Sequence, residues 1–257
     1  TQFSYNRYIL PIENGKLKNT AGQERNFSWM MGMNRNWGFT HLTASGFQQV
    51  VGLFPGAVGI PRAWQLTDDG NDRDVNMPQF ITKHYKILSN SNLLLGKHWL
   101  EVEAGWQMNL REEKEPFHRH GPGPSLQTND AIRLNLQTIS LNARFHQNQS
   151  EKAEGIGGFS VSAQQNKRAG FEFLLPDFES LAAGAFWFQK LSFSQKLTMN
   201  AGARVDYNAV DVKAFSVPVY QDSVTIRAWQ LKNPDIQKEY VNVSAAMGLA
   251  WNPQPTW

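Results

Sequence analysis

The sequence contains no cysteine among its 257 residues, which excludes a disulfide framework, a Cys-ligated zinc site and a thiol nucleophile. It has no uninterrupted apolar run longer than a few residues, so no helix predicted from it can span a bilayer. We predict no signal peptide, because the N-terminal residues lack the required basic, apolar and small segments. Lys and Arg outnumber Asp and Glu by only 25 to 22, an excess too small to predict nucleic-acid binding.

Large aromatic side chains and uncharged polar side chains are abundant instead. Phe, Trp and Tyr make up 12% of the residues, whereas charged residues make up only 18%, below the usual quarter. The mean hydropathy of −0.47 therefore comes largely from Asn, Gln, Ser and Thr. This composition is unusual for a cytosolic enzyme and suits a β-sheet with one apolar and one polar face.

Residues 98–113 show the clearest periodicity of the chain. Apolar residues occupy every second position from Leu100 to Leu110, and polar residues or glycine occupy the positions between them. Because successive side chains of a strand point to opposite faces, this alternation predicts a long strand with two different faces. The same alternation occurs in residues 25–34, 157–165, 197–207 and 241–252.

Two segments depart from this alternation. Within residues 131–146 the apolar positions change from even-numbered to odd-numbered residues, which predicts a β-bulge near Gln137–Thr138. Residues 181–193 are partly apolar on both faces, so we expect that stretch to lie against another part of the structure.

About ten strands of roughly 10–16 residues are predicted, which is longer than ordinary globular strands and long enough to cross a bilayer. The connections between them alternate in length. The short ones are 34–38, 95–97, 147–152 and 194–196, and the long ones are 12–24, 52–79, 113–130, 166–177 and 208–238. An up-and-down barrel in an outer membrane has this order, with tight periplasmic turns and long extracellular loops.

In such a barrel the apolar rows meet lipid and the polar rows face a wet lumen. The charged residues predicted to face the lumen are Glu101, Glu103, Arg111, Arg204 and Asp206. Aromatic residues beside the short turns fit the girdles found at membrane interfaces. These aromatic residues are Trp37, Phe39, Trp99 and Phe193.

Three loop segments carry residue types found at metal-binding or catalytic sites. The run from His118 to His120 has no third ligand at a metal-binding spacing, so a solvated loop fits better. Residues 67–76 are acidic but lack the order of a calcium loop. The charges of residues 111–115 fit a solvated strand end better than a paired-carboxylate site. We predict no metal site, no cofactor and no enzyme activity, since no catalytic motif is present.

Several segments resemble the barrel domain of TonB-dependent outer-membrane receptors from Bacteroidetes-like Gram-negative bacteria. The strongest similarity is that of residues 197–207 to a recurrent family strand carrying Gly, Arg and Asp. The other similar segments are Phe54-Pro-Gly-Ala-Val-Gly-Ile-Pro61, Asn76-Met-Pro-Gln79, Asn109-Leu-Arg-Glu-Glu113, Leu174-Leu-Pro-Asp177 and Met247-Gly-Leu-Ala-Trp-Asn-Pro253. The ordered set covers most of the chain.

The resemblance implies a transmembrane antiparallel barrel of the 22-stranded, plugged type, to which this chain would contribute about ten strands. Residues 1–257 would then be part of one β-barrel domain, with no plug domain in this chain. The implied function is uptake of a scarce nutrient, such as a siderophore-type iron chelate, cobalamin, an oligosaccharide or a peptide. The implied partners are outer-membrane lipid, a TonB-type energy-coupling complex acting through a plug, and a surface lipoprotein.

Ligand capture is predicted for the long loops 52–79 and 112–130. The Gly- and Pro-rich start of the first loop fits either a substrate-contacting loop or one packed on its own apolar residues. The candidate substrate-binding residues are Phe54, Arg62, Trp64, His118, Arg119 and His120.

Two other functions are compatible with the sequence. The first is a self-contained ten-stranded barrel, either a passive porin or an outer-membrane lipase or protease. The second is a water-soluble, β-rich binding protein, although the apolar rows argue against it because a soluble sheet needs shorter strands.

Overall fold

A computed structural model describes residues 19–53, 75–118, 121–150 and 152–253. All regular structure within these ranges is β-strand, and they contain no helix long and apolar enough to cross a membrane. The strands are β1 Gly22–Arg35, β2 Gly38–Gly52, β3 Gln79–Leu95, β4 His98–Lys114, β5 Asp130–Ser150, β6 Ala153–Ala169, β7 Phe178–Ser194, β8 Leu197–Val212, β9 Phe215–Tyr220, β10 Ile226–Asn233 and β11 Ile236–Trp251. The predicted all-β fold is confirmed.

Nine of the strands form one antiparallel sheet. Its order is β1-β2-β3-β4-β5-β6-β7-β8-β11, so consecutive strands are neighbours except where β11 pairs with β8. Strands β9 and β10 form a separate hairpin within the connection from β8 to β11. The predicted up-and-down order is therefore confirmed. The sequence predicts only a long loop over residues 208–238, so this hairpin is an addition by the structure.

The connections of the nine-stranded sheet alternate in length, as predicted. Two residues join β1 to β2, β3 to β4, β5 to β6 and β7 to β8, whereas the long connections lie at the opposite end of the sheet. At two of the short turns, Gly38 has a φ of 126° and Gly96 a φ of 65°, which glycine adopts without steric cost. A Cβ on Gly38 would also overlap the carbonyl oxygen of Asn92, so this turn requires glycine.

The register of the strands divides their side chains between two faces. Even-numbered residues of β2 and β4 lie on the same face as odd-numbered residues of the other seven strands. We call this side the apolar face, because it carries the apolar row from Leu100 to Leu110, and we call the other side the polar face. The apolar rows predicted for single strands therefore lie on one face of the sheet.

Few apolar side chains of the described residues are buried. The buried ones are Ala21, Leu110, Ala131 and Ala143. On central strands of the sheet, Ile139 is 62% exposed and Val161 is 36% exposed. A soluble sheet would bury such side chains under a second layer, so this apolar face requires surroundings other than water.

The two edges of the sheet, β1 and β11, each have one neighbour. A self-contained small barrel would need these two strands to pair with each other, and the described residues form no such pair. An unpaired edge exposes backbone N–H and C=O groups, which lipid does not tolerate. The sheet formed by the described residues is therefore open.

The predicted bulge near Gln137–Thr138 is wrong. Both ladders of β5 continue through these residues without a register shift, and the shift against β4 lies at Glu113/Lys114 instead. The change of phase arises because the apolar face itself becomes polar there: Ile139 is followed on the same face by Gln137, Asn135 and Arg133 toward the long connections.

The girdle prediction is wrong for two of its four aromatic residues. Phe39 and Trp99 lie on the polar face, because each is one residue out of phase with the apolar row of its strand. Their rings stack on histidines of the same face, Phe39 on His41 and Trp99 on His146. Phe193, which is 58% exposed, keeps the girdle assignment as a prediction.

Candidate functional site

The apolar rows have the height of a bilayer core. From Leu100 to Leu110 there are ten residue steps, or about 34 Å along an antiparallel strand. A strand tilted by about 40–45° would span roughly 25 Å of membrane with this row, which is the height of the apolar band of outer-membrane barrels. The apolar rows of residues 197–207 and 241–251 have the same length.

The band formed by these rows crosses the sheet obliquely. Its border toward the long connections lies between Arg25 and Phe27 on β1, and between Glu239 and Val241 on β11. When the pairing of directly opposite residues is followed across the sheet, Glu239 lies two cross-strand rows further from the long connections than Arg25 does. A flat membrane crossed by tilted strands produces such a slope.

The five charged residues predicted to face a lumen all lie on the polar face. Glu101 and Arg204 occupy one cross-strand row, and Glu103 and Asp206 occupy the next row. Arg111 lies on the same face, eight residues from Glu103 toward the long connections. That this face borders a lumen stays a prediction, but the structure brings four of the five residues onto two adjacent rows.

Glu101 is the centre of a charged cluster near the short turns. Its carboxylate lies 2.9 Å from Nε of Arg144 and 3.3 Å from Nε2 of His146. Trp99 stacks on the His146 ring with 4.5 Å between ring centroids. The neighbouring recess of about 220 Å³ is lined by Phe39, Asn90, Asn92, Glu103 and Asn142 with the Glu101 and Arg144 side chains.

Arg204 and Asp206 form the most complete ion pair of the polar face. Nε of Arg204 donates to both carboxylate oxygens at 2.9 and 2.8 Å, and Nη2 donates at 2.6 Å. The facing residue is Gly184, where a Cβ would lie 2.7 Å from Nη2 of Arg204 and would overlap Asp206. The Gly, Arg and Asp pattern that carries the resemblance therefore depends on a further glycine across the strand pair.

Described parts of three long connections pack on one another at the other end of the sheet. We call this group the vestibule; it comprises residues 115–118, 121–129, 170–177 and 213–235. Phe117 contacts Phe171 edge-on at 5.1 Å between ring centroids, and Phe173 stacks on Phe215 at 5.1 Å. Aromatic pairs in these geometries stabilise by about 0.5–1.5 kcal/mol beyond their buried area.

Close backbone contacts add to the aromatic ones. Gly123 lies so near Tyr220 of the hairpin that a Cβ would be 2.9 Å from the ring. The N–H of Lys213 donates to the carbonyl of Asp177 at 2.9 Å, and the amide of Asn233 donates to the carbonyl of Lys213 at 2.7 Å. The hairpin is thus connected to both of the other long connections.

Arg168, the second-last residue of β6, anchors the vestibule. Its guanidinium donates to the carbonyls of Gly170 at 3.0 Å and Glu172 at 3.2 Å. It also lies 4.0 Å from the ring centre of Phe215 and 5.8 Å from that of Phe173. One cation therefore links two connections, through hydrogen bonds to one and cation–π contact with both.

The structure describes only one of the six predicted substrate-binding residues. His118 lies edge-on to Phe171 at 5.8 Å between ring centroids and 3.6 Å from a carboxylate oxygen of Glu115. His118 is therefore part of the vestibule. The residues outside the described ranges are Phe54, Arg62, Trp64, Arg119 and His120.

Asn19 joins the two ends of the long connection between β2 and β3. Its side-chain amide donates to the carbonyls of Leu53 at 2.9 Å and Pro78 at 2.7 Å, and its oxygen accepts the N–H of Asn76 at 2.7 Å. The N–H of Leu53 also donates to the carbonyl of Pro78 at 2.8 Å. The base of the loop predicted to capture ligand is therefore closed by the Asn19 side chain together with this backbone bond.

Arg168 and the four phenylalanines were not among the predicted site residues. The alternation of Phe171 and Phe173 directly after Arg168 and Gly170 is a signal that could have found them, because aromatics in a Gly-bounded loop need a packing partner. What the site offers chemically is hydrogen bonding and ring stacking. Among the described residues, no group of three or more His, Asp or Glu side chains could hold a metal ion.

A pH dependence is expected for the turn of the hairpin. The Asp222 carboxylate accepts the N–H groups of Val224 at 2.9 Å and Thr225 at 2.8 Å, and these bonds, that of Val224 first, lower the pKa of Asp222. Stability from a lowered pKa is complete at neutral pH and is lost as the pH falls through the folded-state pKa. The Val224 amide proton resonance should thus stay constant near neutral pH and move only at a lower pH than an ordinary Asp side chain would require.

Replacement of Asp222 by alanine is the control for that titration. In this variant the Val224 amide proton should resonate, at every pH, where it does in the unmodified protein in strong acid. A Val224 resonance that already moves between pH 7 and about pH 5, above the ordinary range of Asp, would contradict the assignment to this carboxylate.

No family model and no curated protein matches the sequence. Solved structures of the FrpB iron transporter from Neisseria meningitidis match the fold. The F3-3 variant has a TM-score of 0.61 at 13% identity over 98% of this chain and 38% of that chain. The F5-1 variant has a TM-score of 0.60 at 14% identity over 98% and 40%, and its apoprotein form 0.60 at 13% over 98% and 37%. The chain spans about two fifths of the length of these transporters, and its open antiparallel sheet has the fold of that part of their β-barrel.

Proposed function

We propose that the chain is part of a TonB-dependent transporter in the outer membrane of a Gram-negative bacterium, and that it takes up an iron chelate. The observation that carries the proposal is the sheet itself: it combines a bilayer-high apolar face, a charged polar face and long connections at one end only. This arrangement suits a barrel wall with lipid outside, a wet lumen inside and ligand-capturing loops above. The fold shared with an iron transporter favours iron among the nutrients considered.

The polar face suits the wall of a lumen filled by a plug. Several of its charged groups are paired within the face, as in Glu101 with Arg144 and Arg204 with Asp206, so these groups need no partner from a plug. Between the pairs lies a second recess of about 370 Å³, lined by Ser140, Asn142, Ser160, Ser162 and Asn208 with the Arg204–Asp206 pair. Such hydroxyl and amide groups exchange hydrogen bonds with water and a polar solute.

The vestibule is the part proposed to contact the chelate first. It presents aromatic rings and the Arg168 guanidinium at the end of the sheet where the long connections meet. Rings and a delocalised cation suit a flat, anionic or aromatic chelate. The predicted contacts of loops 52–79 and 112–130 belong to the same proposal.

Energy-dependent uptake tests the proposal against the passive porin. Cells that make the intact protein and lack other ferric-chelate receptors should accumulate radiolabelled iron from a ferric chelate. A protonophore should reduce this accumulation at least tenfold, because a plugged barrel opens only when the inner-membrane complex is energised. A passive pore has no such requirement.

Two results would overturn this function. Iron accumulation that survives the protonophore would support a pore, and accumulation of labelled cobalamin but not of iron would reassign the substrate. A host strain without the protein provides the background rate, and the amount of folded protein in the outer membrane must be equal in all strains.

A further inference from the structure

Charged side chains continue the apolar face beyond the apolar band, toward the long connections. We call these residues the collar: Arg25, Lys83, Glu112, Lys114, Asp130, Arg133, Lys167, Glu179, Asp211 and Glu239. Because they share a face with the apolar rows, they point away from the polar face and its recesses. A solute that moves along the polar face would not contact the collar residues, so transport does not explain their charges.

The cations of the collar lie together on the first six strands. Arg25, Lys83 and Lys167 occupy one cross-strand row, and Arg133 lies in the adjacent row between the last two. At about 4.8 Å per strand, Arg25 and Lys83 are roughly 10 Å apart and Lys83 and Lys167 roughly 14 Å apart. These cations therefore line the border of the apolar band on this part of the sheet.

The carboxylates within this part do not cancel its charge. Glu112 lies 3.8 Å from Nζ of Lys83 and 3.6 Å from Nε of Arg133, and its side chain is only 9% exposed, against 48% for Arg133. Asp130 is paired with Lys114 at 2.8 Å. The shared carboxylate is covered by two cations, so the outward surface is positive.

The rest of the collar has the opposite sign. Strands β7, β8 and β11 place Glu179, Asp211 and Glu239 at the same border. Asp211 is paired with Lys213 at 2.9 Å, which leaves the charges of Glu179 and Glu239 on this side. The collar's own cations are thus restricted to the first six strands, where a general requirement for a charged rim would have spread them evenly.

We propose that the cationic part of the collar, formed by Arg25, Lys83, Arg133 and Lys167, binds the phosphate groups of a phosphorylated glycolipid in the outer leaflet. Lipid headgroups lie where an apolar band ends, and clusters of Lys and Arg at that level attract anionic headgroups. A lipid suits the site better than a soluble anion, because its acyl chains can lie on the apolar rows directly below. The inference rests on the membrane assignment of the proposed function and is independent of what is transported.

Lipid selectivity of the unmodified protein is the first test. The intact protein, purified in a neutral detergent, is titrated with lipid A that carries two phosphates and with the same glycolipid after enzymatic removal of both, and bound lipid is counted by native mass spectrometry. The phosphorylated lipid should bind at least tenfold more tightly, and its affinity should fall as salt is raised. Equal affinity for the two lipids would overturn the proposal.

Paired variants then locate the site. The collar variant Lys83→Gln with Lys167→Gln should lose about 30-fold in affinity for the phosphorylated lipid, since each cation near a lipid surface contributes roughly five- to sixfold. The matched control Lys86→Gln with Lys238→Gln removes the same charge from the polar face and should change the affinity less than twofold. Equal losses in the two variants would show that net charge, and not this site, governs binding. Iron uptake is measured separately. A failure of the iron-uptake prediction would therefore leave the lipid-binding result interpretable.

Discussion

Replacing Val161 with arginine should destabilise the folded barrel by about 2–4 kcal/mol, the cost of a cation on the lipid-facing side at the middle of a membrane. Val161 lies on β6, an inner strand of the sheet, and its neighbours in register on the apolar face are Leu141 and Ala183. Neither neighbour can pair with a guanidinium. To measure this change, the intact protein is reconstituted into lipid vesicles and exposed to increasing urea. The fraction of protein that keeps the electrophoretic mobility of the folded form is then recorded at each urea concentration.

Ser162→Arg is the matched control for that variant. Ser162 is the next residue of the strand, so its side chain lies on the polar face, beside Ser140 and Ala182. The same cation there should cost less than about 1 kcal/mol, because water can reach it. If the two variants were equally stable, or if Ser162→Arg were the less stable one, the apolar face would not be the lipid-facing one. A water-soluble function would then regain support.

The features that the sequence predicts best are those that repeat with a period of two. A wall between lipid and water constrains every second residue of a long strand, so the row from Leu100 to Leu110 and the single strands like it are visible without a structure. The length of the connections is equally visible, because Gly, Pro and polar residues interrupt the alternation. Fold class and strand order follow from these two patterns alone.

A change of phase within a strand has two physical causes that the sequence alone cannot separate. Either an extra residue rotates the strand, or the strand passes from one environment into another. For β5 the bulge was predicted, whereas the continuous ladder through Gln137 and Thr138 shows the second cause. Of the polar residues that follow on this face, Gln137, Asn135 and Arg133, the last belongs to the collar, which a local bulge would not predict.

The vestibule could not be predicted because its contacts join distant residues. Phe173 and Phe215 are separated by two whole strands and a turn, and no periodicity indicates that two loops will meet. The hairpin of β9 and β10 was missed for a related reason: its strands are short and outside the sheet, so the bilayer imposes no long alternation on them. Register and loop packing are therefore what the structure adds.

Replacing Arg168 with methionine should loosen the vestibule while the barrel wall stays folded. The variant loses two hydrogen bonds from a charged donor, to the carbonyls of Gly170 and Glu172, and the cation–π contact with Phe215. Water replaces part of these interactions, so the free energy needed to open the vestibule locally should fall by about 3 kcal/mol. The N–H of Glu172, which donates to the carbonyl of Ala131 at 2.8 Å, should then exchange its proton about 100-fold faster.

Lys167→Met is the control for this prediction, because it removes a cation from the adjacent residue on the other face of the same strand. It should leave the exchange of the Glu172 amide unchanged. Arg168→Lys should behave nearly like Arg168→Met, since an ammonium group cannot donate to both carbonyls and lie flat on a ring. If the vestibule captures the chelate, the two Arg168 variants should also bind the chelate more weakly at unchanged barrel stability. Unchanged proton exchange of the Glu172 amide in these variants would contradict the prediction and would mean that Phe173 and Phe215 hold the connections together without the cation.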